Sequence, residues 1–157
     1  MTNNDIIRRL RHTFDFSDSQ MLKIFASTGV KVTHTQILDW MAREEDQDFV
    51  ECPDIELARF LNGFINLKRG PRDPQPEPET MLSNNAILRK LKIALELRDD
   101  DMLEILRLAN REISKHELSA FFRRPEHKHY RDCQDQILRN LLTGLQRKYR
   151  ARDRYES

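Results

Sequence analysis

The clearest pattern in the chain is the recurrence of NNDIIRRL, at residues 3–10, as NNAILRKL at residues 84–91. The two copies align without a gap, and the match continues as far as Arg69 and Arg150. Substitutions along the alignment keep apolar positions apolar, as expected of two copies of one folded unit. The identical pairs include Asp18/Asp99, Met21/Met102, Cys52/Cys133 and Gly63/Gly144. We therefore predict a tandem duplication, with a first unit over residues 1–70 and a second unit over residues 83–157.

Residues 71–82 lie between the copies and carry prolines at positions 71, 74, 76 and 78. Proline lacks a backbone donor and favours extended geometry, so this segment is predicted to be a Pro-rich, semi-rigid linker. A single small unit buries only a modest core. We therefore expect the two units to pack together with pseudo-two-fold symmetry, homodimerisation being the alternative way to cover their apolar faces.

The composition predicts an all-α fold. Charged residues make up 34% of the chain and hydrophobic residues 38%, with only 4 glycines, which is typical of helices with charged outer faces. Each unit carries signals for four helices. The best-defined start is that of the third helix, where Thr33-x-x-Gln36 and Ser114-x-x-Glu117 form capping boxes.

Other helix boundaries follow from residue type. An asparagine is predicted to cap the first helix, from about residue 4 to Phe14, and Asp18 and Asp99 to cap the second. Gly29 and Asn110 tolerate the left-handed conformation that ends a helix. The fourth helix is predicted to follow Cys52-Pro53-Asp54, and its interior glycines, Gly63 and Gly144, predict a close helix crossing.

Several classes of protein are excluded or unsupported. The chain has no apolar run of about 18 residues and no signal-peptide core, so we expect a cytoplasmic protein without a membrane partner. Its two cysteines are predicted to be reduced thiols. No glycine-rich phosphate loop, GxSxG or HExxH pattern occurs, so no catalytic residue and no cofactor is predicted.

The candidate site residues are few. Cys52 and Cys133 precede the fourth helix, whose amino end can make a thiol nucleophilic, although a small residue filling a loop corner is the favoured interpretation. The spacing His127-x-His129-x3-Cys133 brings together three metal-capable side chains. Because zinc sites use tighter and more regular spacings, solvated loop side chains are favoured and no metal is predicted.

Positive charge is concentrated towards the carboxyl end, where five cationic residues follow closely: Arg147, Lys148, Arg150, Arg152 and Arg154. Such a run can contact phosphates or simply form a solvated helix end. Helices two and three of each unit also resemble a helix-turn-helix in outline, but with mixed charge.

We predict a non-catalytic binding or regulatory module that acts through protein–protein contacts, with a partner protein or a second copy; a nucleic-acid-binding protein is the alternative. Differences in function between the copies should lie where they diverge, at Glu44–Asp48 against Pro125–His129 and at the basic tail.

A family resemblance rests on motifs spread over nearly the whole chain. They are NNDI at 3–6, Asp18, CPD at 52–54, FLNG at 60–63, KRG at 68–70, PEHK at 125–128 and Cys133-x-Asp135-Gln136. In this combination the chain resembles the YehS-like proteins of gamma-proteobacteria. The resemblance implies a cytosolic bacterial protein built from a tandem domain to which no activity is assigned, and it supplies no catalytic residues.

Overall fold

The computed structural model describes residues 1–150, and all regular structure in that range is helical. The chain forms eight α-helices followed by a short π-helical turn, Gln146–Arg150. The helices are α1 Asn3–Phe14, α2 Asp18–Ala26, α3 His34–Met41, α4 Asp54–Arg69, α5 Asn84–Ala94, α6 Asp99–Leu108, α7 Lys115–Ala120 and α8 Asp135–Leu145. No helix in this range is both long and apolar enough to span a bilayer.

The helices fall into two compact units, which divide between Leu82 and Ser83. Each unit holds four α-helices, α1–α4 in the first and α5–α8 in the second. The predicted all-α fold and the duplication of a four-helix unit are confirmed.

The predicted starts of α3, α4 and α7 are confirmed. The helix α4 begins at Asp54, and Thr33 and Ser114 cap α3 and α7 through reciprocal bonds with Gln36 and Glu117. The cap of α1, however, is Thr2 rather than an asparagine, and the cap of α2 is Ser17 rather than Asp18. The hydroxyl residue one position earlier takes the cap because each asparagine or aspartate is already inside the first helical turn.

Each unit has its own apolar core. In the first unit, Phe25 packs against Phe60 and Trp40, with ring centroids 5.8 Å apart in both pairs. Trp40 is only 4% exposed, so it belongs to the core. Aliphatic side chains fill the second core, among them Leu91, Met102, Leu118, Leu138 and Leu142. Full burial of one such side chain contributes about 1.5–3 kcal/mol, so these cores supply most of the favourable folding energy.

The interior glycines mark a close crossing in both units. A Cβ added at Gly63 would overlap the backbone carbonyl of Ile24 on α2, and one at Gly144 would overlap that of Ile105 on α6. The prediction of a tight helix crossing at these positions is confirmed.

The segment predicted as a Pro-rich, semi-rigid linker, residues 71–82, is grouped with the first unit. Asn66, which is 4% exposed, donates from Nδ2 to Gln75 Oε1 at 3.0 Å, and Arg72 N donates to Asn66 Oδ1 at 3.4 Å. At the far end, Leu82 N donates to Asp54 Oδ2 at 2.8 Å. The proline-rich segment is therefore anchored to α4 at both of its ends.

Candidate functional site

A buried asparagine organises the region before α4 in the first unit. Asn4 is fully buried, and its Nδ2 donates to the carbonyl oxygens of Trp40, at 3.2 Å, and Val50, at 2.8 Å. Its Oδ1 accepts from Cys52 N at 2.9 Å. One side chain thus fixes the end of α3 and the last residues before α4.

The neighbouring Asn3 adds a second set of bonds to the same region. Its Nδ2 donates to the Cys52 carbonyl at 2.9 Å and to Asp54 Oδ1 at 2.7 Å. We call the pair Asn3 and Asn4, together with its counterpart in the second unit, Asn84 and Asn85, the asparagine clamp.

The second unit repeats the clamp bond for bond. Asn85 donates to the carbonyls of Phe121, at 3.0 Å, and Arg131, at 2.8 Å, and accepts from Cys133 N at 2.9 Å. Asn84 donates to the Cys133 carbonyl at 2.9 Å and to Asp135 Oδ1 at 2.8 Å. The most recognisable residues of the duplication, the NN pair and the CxD motif, therefore hold a loop in place in each unit.

The clamp encloses one loop in each unit, residues 42–50 and residues 123–131. Both loops turn in the same way: Asp46 N donates to the Arg43 carbonyl and His127 N to the Arg124 carbonyl, each at 2.9 Å. The next turn follows three residues later in both loops, closed by Phe49 N or by Tyr130 N. The two loops thus have equivalent turns at equivalent positions.

The side chains on these matched loops have opposite charge. Residues 42–50, the acidic loop, contain one basic and four acidic residues, for a net charge of −3. Residues 123–131, the basic loop, contain four basic and one acidic residue, for a net charge of +3 with its histidines neutral. Most of these side chains are exposed. Among the described residues, the three carboxylates Glu44, Glu45 and Asp48 have no ion-pair partner, and neither do the cations Arg124, Lys128 and Arg131.

A cleft of about 370 Å³ opens beside the basic loop. Its lining includes His116 from α7 and Lys128, His129 and Arg131 from the loop. The rings of His116 and His129 lie 6.3 Å apart, and those of His127 and His129 lie 5.5 Å apart. The acidic loop has Gln47, Asp48 and Val50 at the positions of Lys128, His129 and Arg131, so the cations of this cleft have no counterpart at the equivalent positions of the first unit.

The histidines and cysteine considered as metal ligands do not form a metal-binding cluster. Within residues 1–150, no group of three or more His, Cys, Asp or Glu side chains is arranged to hold a metal ion. His127 uses Nδ1 to accept from His129 N at 3.0 Å, whereas Cys133 is buried beneath the loop. The spacing in the sequence therefore does not translate into a shared site.

Both cysteines are buried free thiols. Burial, reinforced by nearby carboxylates, raises the pKa of Cys52 to about 12, and burial together with Asp135 does the same for Cys133. The helix amino end does not offset this desolvation, so both thiols stay protonated at neutral pH. This favours the interpretation of the cysteines as corner-filling residues over that of nucleophiles.

Tyr130 closes one side of the basic loop. Its hydroxyl donates to Asp132 Oδ1 at 2.9 Å. Desolvation raises the pKa of Tyr130, and the bond to the Asp132 carboxylate raises it further. The phenol is therefore neutral at neutral pH, and it does not reduce the positive charge of the loop there.

The basic carboxyl end is partly engaged within its own unit. Arg147 donates through Nη1 to the Leu108 carbonyl, and the Lys148 ammonium lies 5.5 Å from the centre of the Tyr149 ring. Arg150 ends the π-helical turn. Arg152 and Arg154, two of the predicted phosphate contacts, lie outside the described residues.

The outline of a helix-turn-helix has little support in α3 and α7. His34, at the start of α3, bonds to Asp18 Oδ2 at 2.6 Å, and this bond, with that from Arg11, holds the pKa of Asp18 below its usual range. The corresponding helix, α7, is only 6 residues long. One helix start is thus engaged in a hydrogen bond to α2, and the other belongs to a helix shorter than two turns.

Sequence reasoning missed two features of this region. The sequence suggests that Asn4 and Asn85 cap helices, because it does not show that the two side chains are only 0% and 6% exposed. Arg123, Arg124 and Arg131 were not distinguished from the general excess of positive charge in the second unit. A position-by-position comparison of the two copies is the signal that could identify these arginines. The divergence that it indicates, at 44–48 and 125–129, stops short of all three.

Comparison with known proteins agrees with the repeat. The family described as "Protein of unknown function (DUF1456)" matches the chain twice, at residues 3–70 and 84–151. The chain belongs to this DUF1456 family. A DUF1456 relative, "Uncharacterized protein YehS" of Escherichia coli (strain K12), is 42% identical over 147 residues, which cover 92% of this chain and 94% of the relative. The YehS-like resemblance is confirmed, with a bacterial relative. No solved structure matches the chain.

Proposed function

We propose that the protein is a non-catalytic, cytoplasmic interaction module that binds protein partners through the acidic loop and the basic loop. The observation that carries this proposal is the combination of a repeated clamp with an inverted loop charge. Two loops are held in the same backbone geometry, yet the first has a net charge of −3 and the second +3.

The unpaired state of the loop charges supports binding rather than stability. Exposed charges contribute little to folding, typically 0–1 kcal/mol even when paired. Charges without an internal partner, presented on a rigid support, instead steer and select partners of opposite sign. The clamp also ties each loop to α1 or α5 by hydrogen bonds, and such preorganisation lowers the entropic cost of forming an interface.

The test compares four forms of the full chain as baits in a bacterial lysate treated with nuclease. They are the wild type, an acidic-loop variant E44Q/E45Q/D48N, a basic-loop variant R124Q/K128Q/R131Q, and a control R98Q/R107Q/R139Q. The control removes three exposed arginines of the second unit that lie outside the basic loop.

A partner recovered with the wild type is then purified, and its affinity for each form is measured by calorimetry. We expect a loss of about tenfold or more for one loop variant and little change for the control. Equal affinity of the partner for all four forms would refute a role for the loops.

Nucleic-acid binding is the second candidate, and the basic loop together with Arg147, Lys148 and Arg150 favours it. Binding to DNA or RNA would neutralise phosphates and therefore fall steeply as salt rises. Fluorescence anisotropy with labelled single-stranded and duplex DNA and with RNA tests this candidate. No binding at low salt removes it; a steep salt dependence that is abolished by neutralising the basic residues over 147–154 supports it.

A further inference from the structure

From the two loops we infer that a second copy of this chain is itself a partner: the acidic loop of one molecule docks on the basic loop of another. This inference rests on the proposed function, because it names an occupant for the same two surfaces. It is carried by charge complementarity within a single chain.

The two loops match in length and are opposite in charge. They occupy equivalent positions of the duplicated unit, and their turns are closed by equivalent backbone hydrogen bonds. The acidic loop offers three unpaired carboxylates, Glu44, Glu45 and Asp48, and the basic loop offers three unpaired cations, Arg124, Lys128 and Arg131. Each molecule thus carries both halves of one electrostatic contact.

The cleft beside the basic loop gives the acidic loop a place to enter. Lys128, His129 and Arg131 line it from the loop, and His116 and Glu117 line it from α7. At a volume of about 370 Å³ it has room for more than one carboxylate side chain. Arginine pairs with carboxylates through two parallel N–H donors, so Arg131 and Arg124 supply direction as well as charge.

The contact joins two different surfaces, so two copies either close it on each other or repeat it from copy to copy. In a closed pair the same contact forms twice. Two equivalent contacts double the number of ion pairs, which offsets the small contribution that each exposed pair makes alone. Repetition of the contact without closure would instead give longer assemblies.

The first experiment measures the mass of the full chain by sedimentation at low and high salt. At about 10 mM salt the Debye length is about 30 Å, whereas at about 1 M it is about 3 Å. We expect dimers or larger species at low salt and monomers at high salt. Neutral variants E44Q/E45Q/D48N and R124Q/K128Q/R131Q should each be monomeric at both concentrations, and the control R98Q/R107Q/R139Q should behave as the wild type.

The second experiment restores the contact with reversed charges. The variant E44K/E45K/D48K has two positive loops, and the variant R124E/K128E/R131E has two negative loops. Each alone should be monomeric at low salt, and an equimolar mixture should form a mixed complex at least about tenfold more tightly than either variant self-associates. Circular dichroism confirms that every variant is folded, and the neutral set replaces any reversed variant that is not.

A wild-type chain that stays monomeric at low salt overturns the inference, and so does association that the loop variants leave unchanged. The proposed function can survive that result. If the chain is monomeric while the loop variants still lose a different protein partner, only self-association is refuted; if neither self-association nor partner binding depends on the loops, both proposals fall.

Discussion

At the scale of single residues, Asn4 and Asn85 are small side chains that each hold a whole loop in place. Asn4 makes three hydrogen bonds to backbone groups, one at the end of α3 and two in the segment before α4, and Asn85 repeats all three in the second unit. A buried polar group that loses its partner costs about 1–3 kcal/mol. Conversion of either asparagine therefore affects the whole loop that it supports.

We predict that Asn4→Ala lowers the free energy of unfolding by about 2–4 kcal/mol, because it leaves the Cys52 N–H and two carbonyls without their partner. Asn85→Ala should have a similar effect in the second unit. Urea denaturation followed by circular dichroism measures both. Gln47→Ala, at an exposed position of the acidic loop, is the control and should change stability by less than about 0.5 kcal/mol. A clamp variant as stable as this control would show that water replaces the side chain.

The buried thiols predict a loss of stability at alkaline pH. A thiol whose folded-state pKa is raised to about 12 stabilises the fold fully below its unfolded pKa of about 8.5. Above that pH the unfolded state releases the proton first, so stability falls by up to about 1.4 kcal/mol per pH unit and per thiol until pH 12 is approached. Urea midpoints of the wild type and of C52A/C133A from pH 8 upward test this. The wild type should lose more stability than the variant, and parallel curves would contradict the prediction.

At the scale of helices, the α2–α4 and α6–α8 crossings depend on the absence of a side chain. Helix propensity alone favours alanine over glycine by about 1 kcal/mol. Overlap with the Ile24 or Ile105 carbonyl is the larger effect, since that oxygen belongs to backbone and cannot rotate away.

We therefore expect Gly63→Ala and Gly144→Ala each to destabilise the protein by at least about 1–3 kcal/mol, despite their better helix propensity. Thermal unfolding monitored by circular dichroism gives the change. Gln136→Ala, on the exposed face of α8, serves as the control for an alanine substitution within a helix. A gain in stability at Gly63 would mean that α2 moves aside at little cost.

The capping boxes of α3 and α7 provide a second prediction at this scale. Thr33 Oγ1 accepts from Gln36 N, and Ser114 Oγ from Glu117 N, at 3.1 and 3.0 Å. Thr33→Ala and Ser114→Ala should each cost about 1 kcal/mol, because an amino-terminal N–H loses its acceptor. Chemical denaturation measures the cost, and replacement of Thr33 by serine should preserve the cap. Equal losses for Thr33→Ser and Thr33→Ala would argue that the methyl group, not the oxygen, is the stabilising part.

At the scale of the whole molecule, the first unit extends through the proline-rich segment. Gln75 is held by Asn66, and Leu82 N is held by Asp54, so the segment contributes bonds to the unit that precedes it. We propose that residues 1–82, rather than 1–70, form the first folding unit.

A fragment of residues 1–82 should consequently be more stable than one of residues 1–70, by about 1–3 kcal/mol, because the shorter fragment lacks the hydrogen bonds from residues 71–82 to α4. Urea denaturation of the two fragments gives the difference. A fragment of residues 1–82 with Gln75→Ala separates the contribution of that anchor from the effect of chain length. Equal stability of the two fragments would show that residues 71–82 contribute nothing to the stability of the first unit and act only as a linker.

Much of this architecture can be predicted from the amino-acid sequence alone. The spacing of apolar residues, the two capping boxes and the alignment of residue 3 on residue 84 were enough to predict eight helices in two copies. These features act over one or two helical turns, and local interactions of that kind leave a periodic trace in the sequence.

The roles of Asn4, Cys52 and the two loops depended on the fold. Asn4 approaches Val50 and Cys52 only because α1, the end of α3 and the start of α4 converge, and burial then makes its bonds strong and the thiol inert. The opposite charges of the loops were visible in the sequence, but their equivalence as rigid, exposed and unpaired surfaces was not. Burial, pairing and the orientation of loops are set by contacts between residues far apart in the chain, and no local pattern records them.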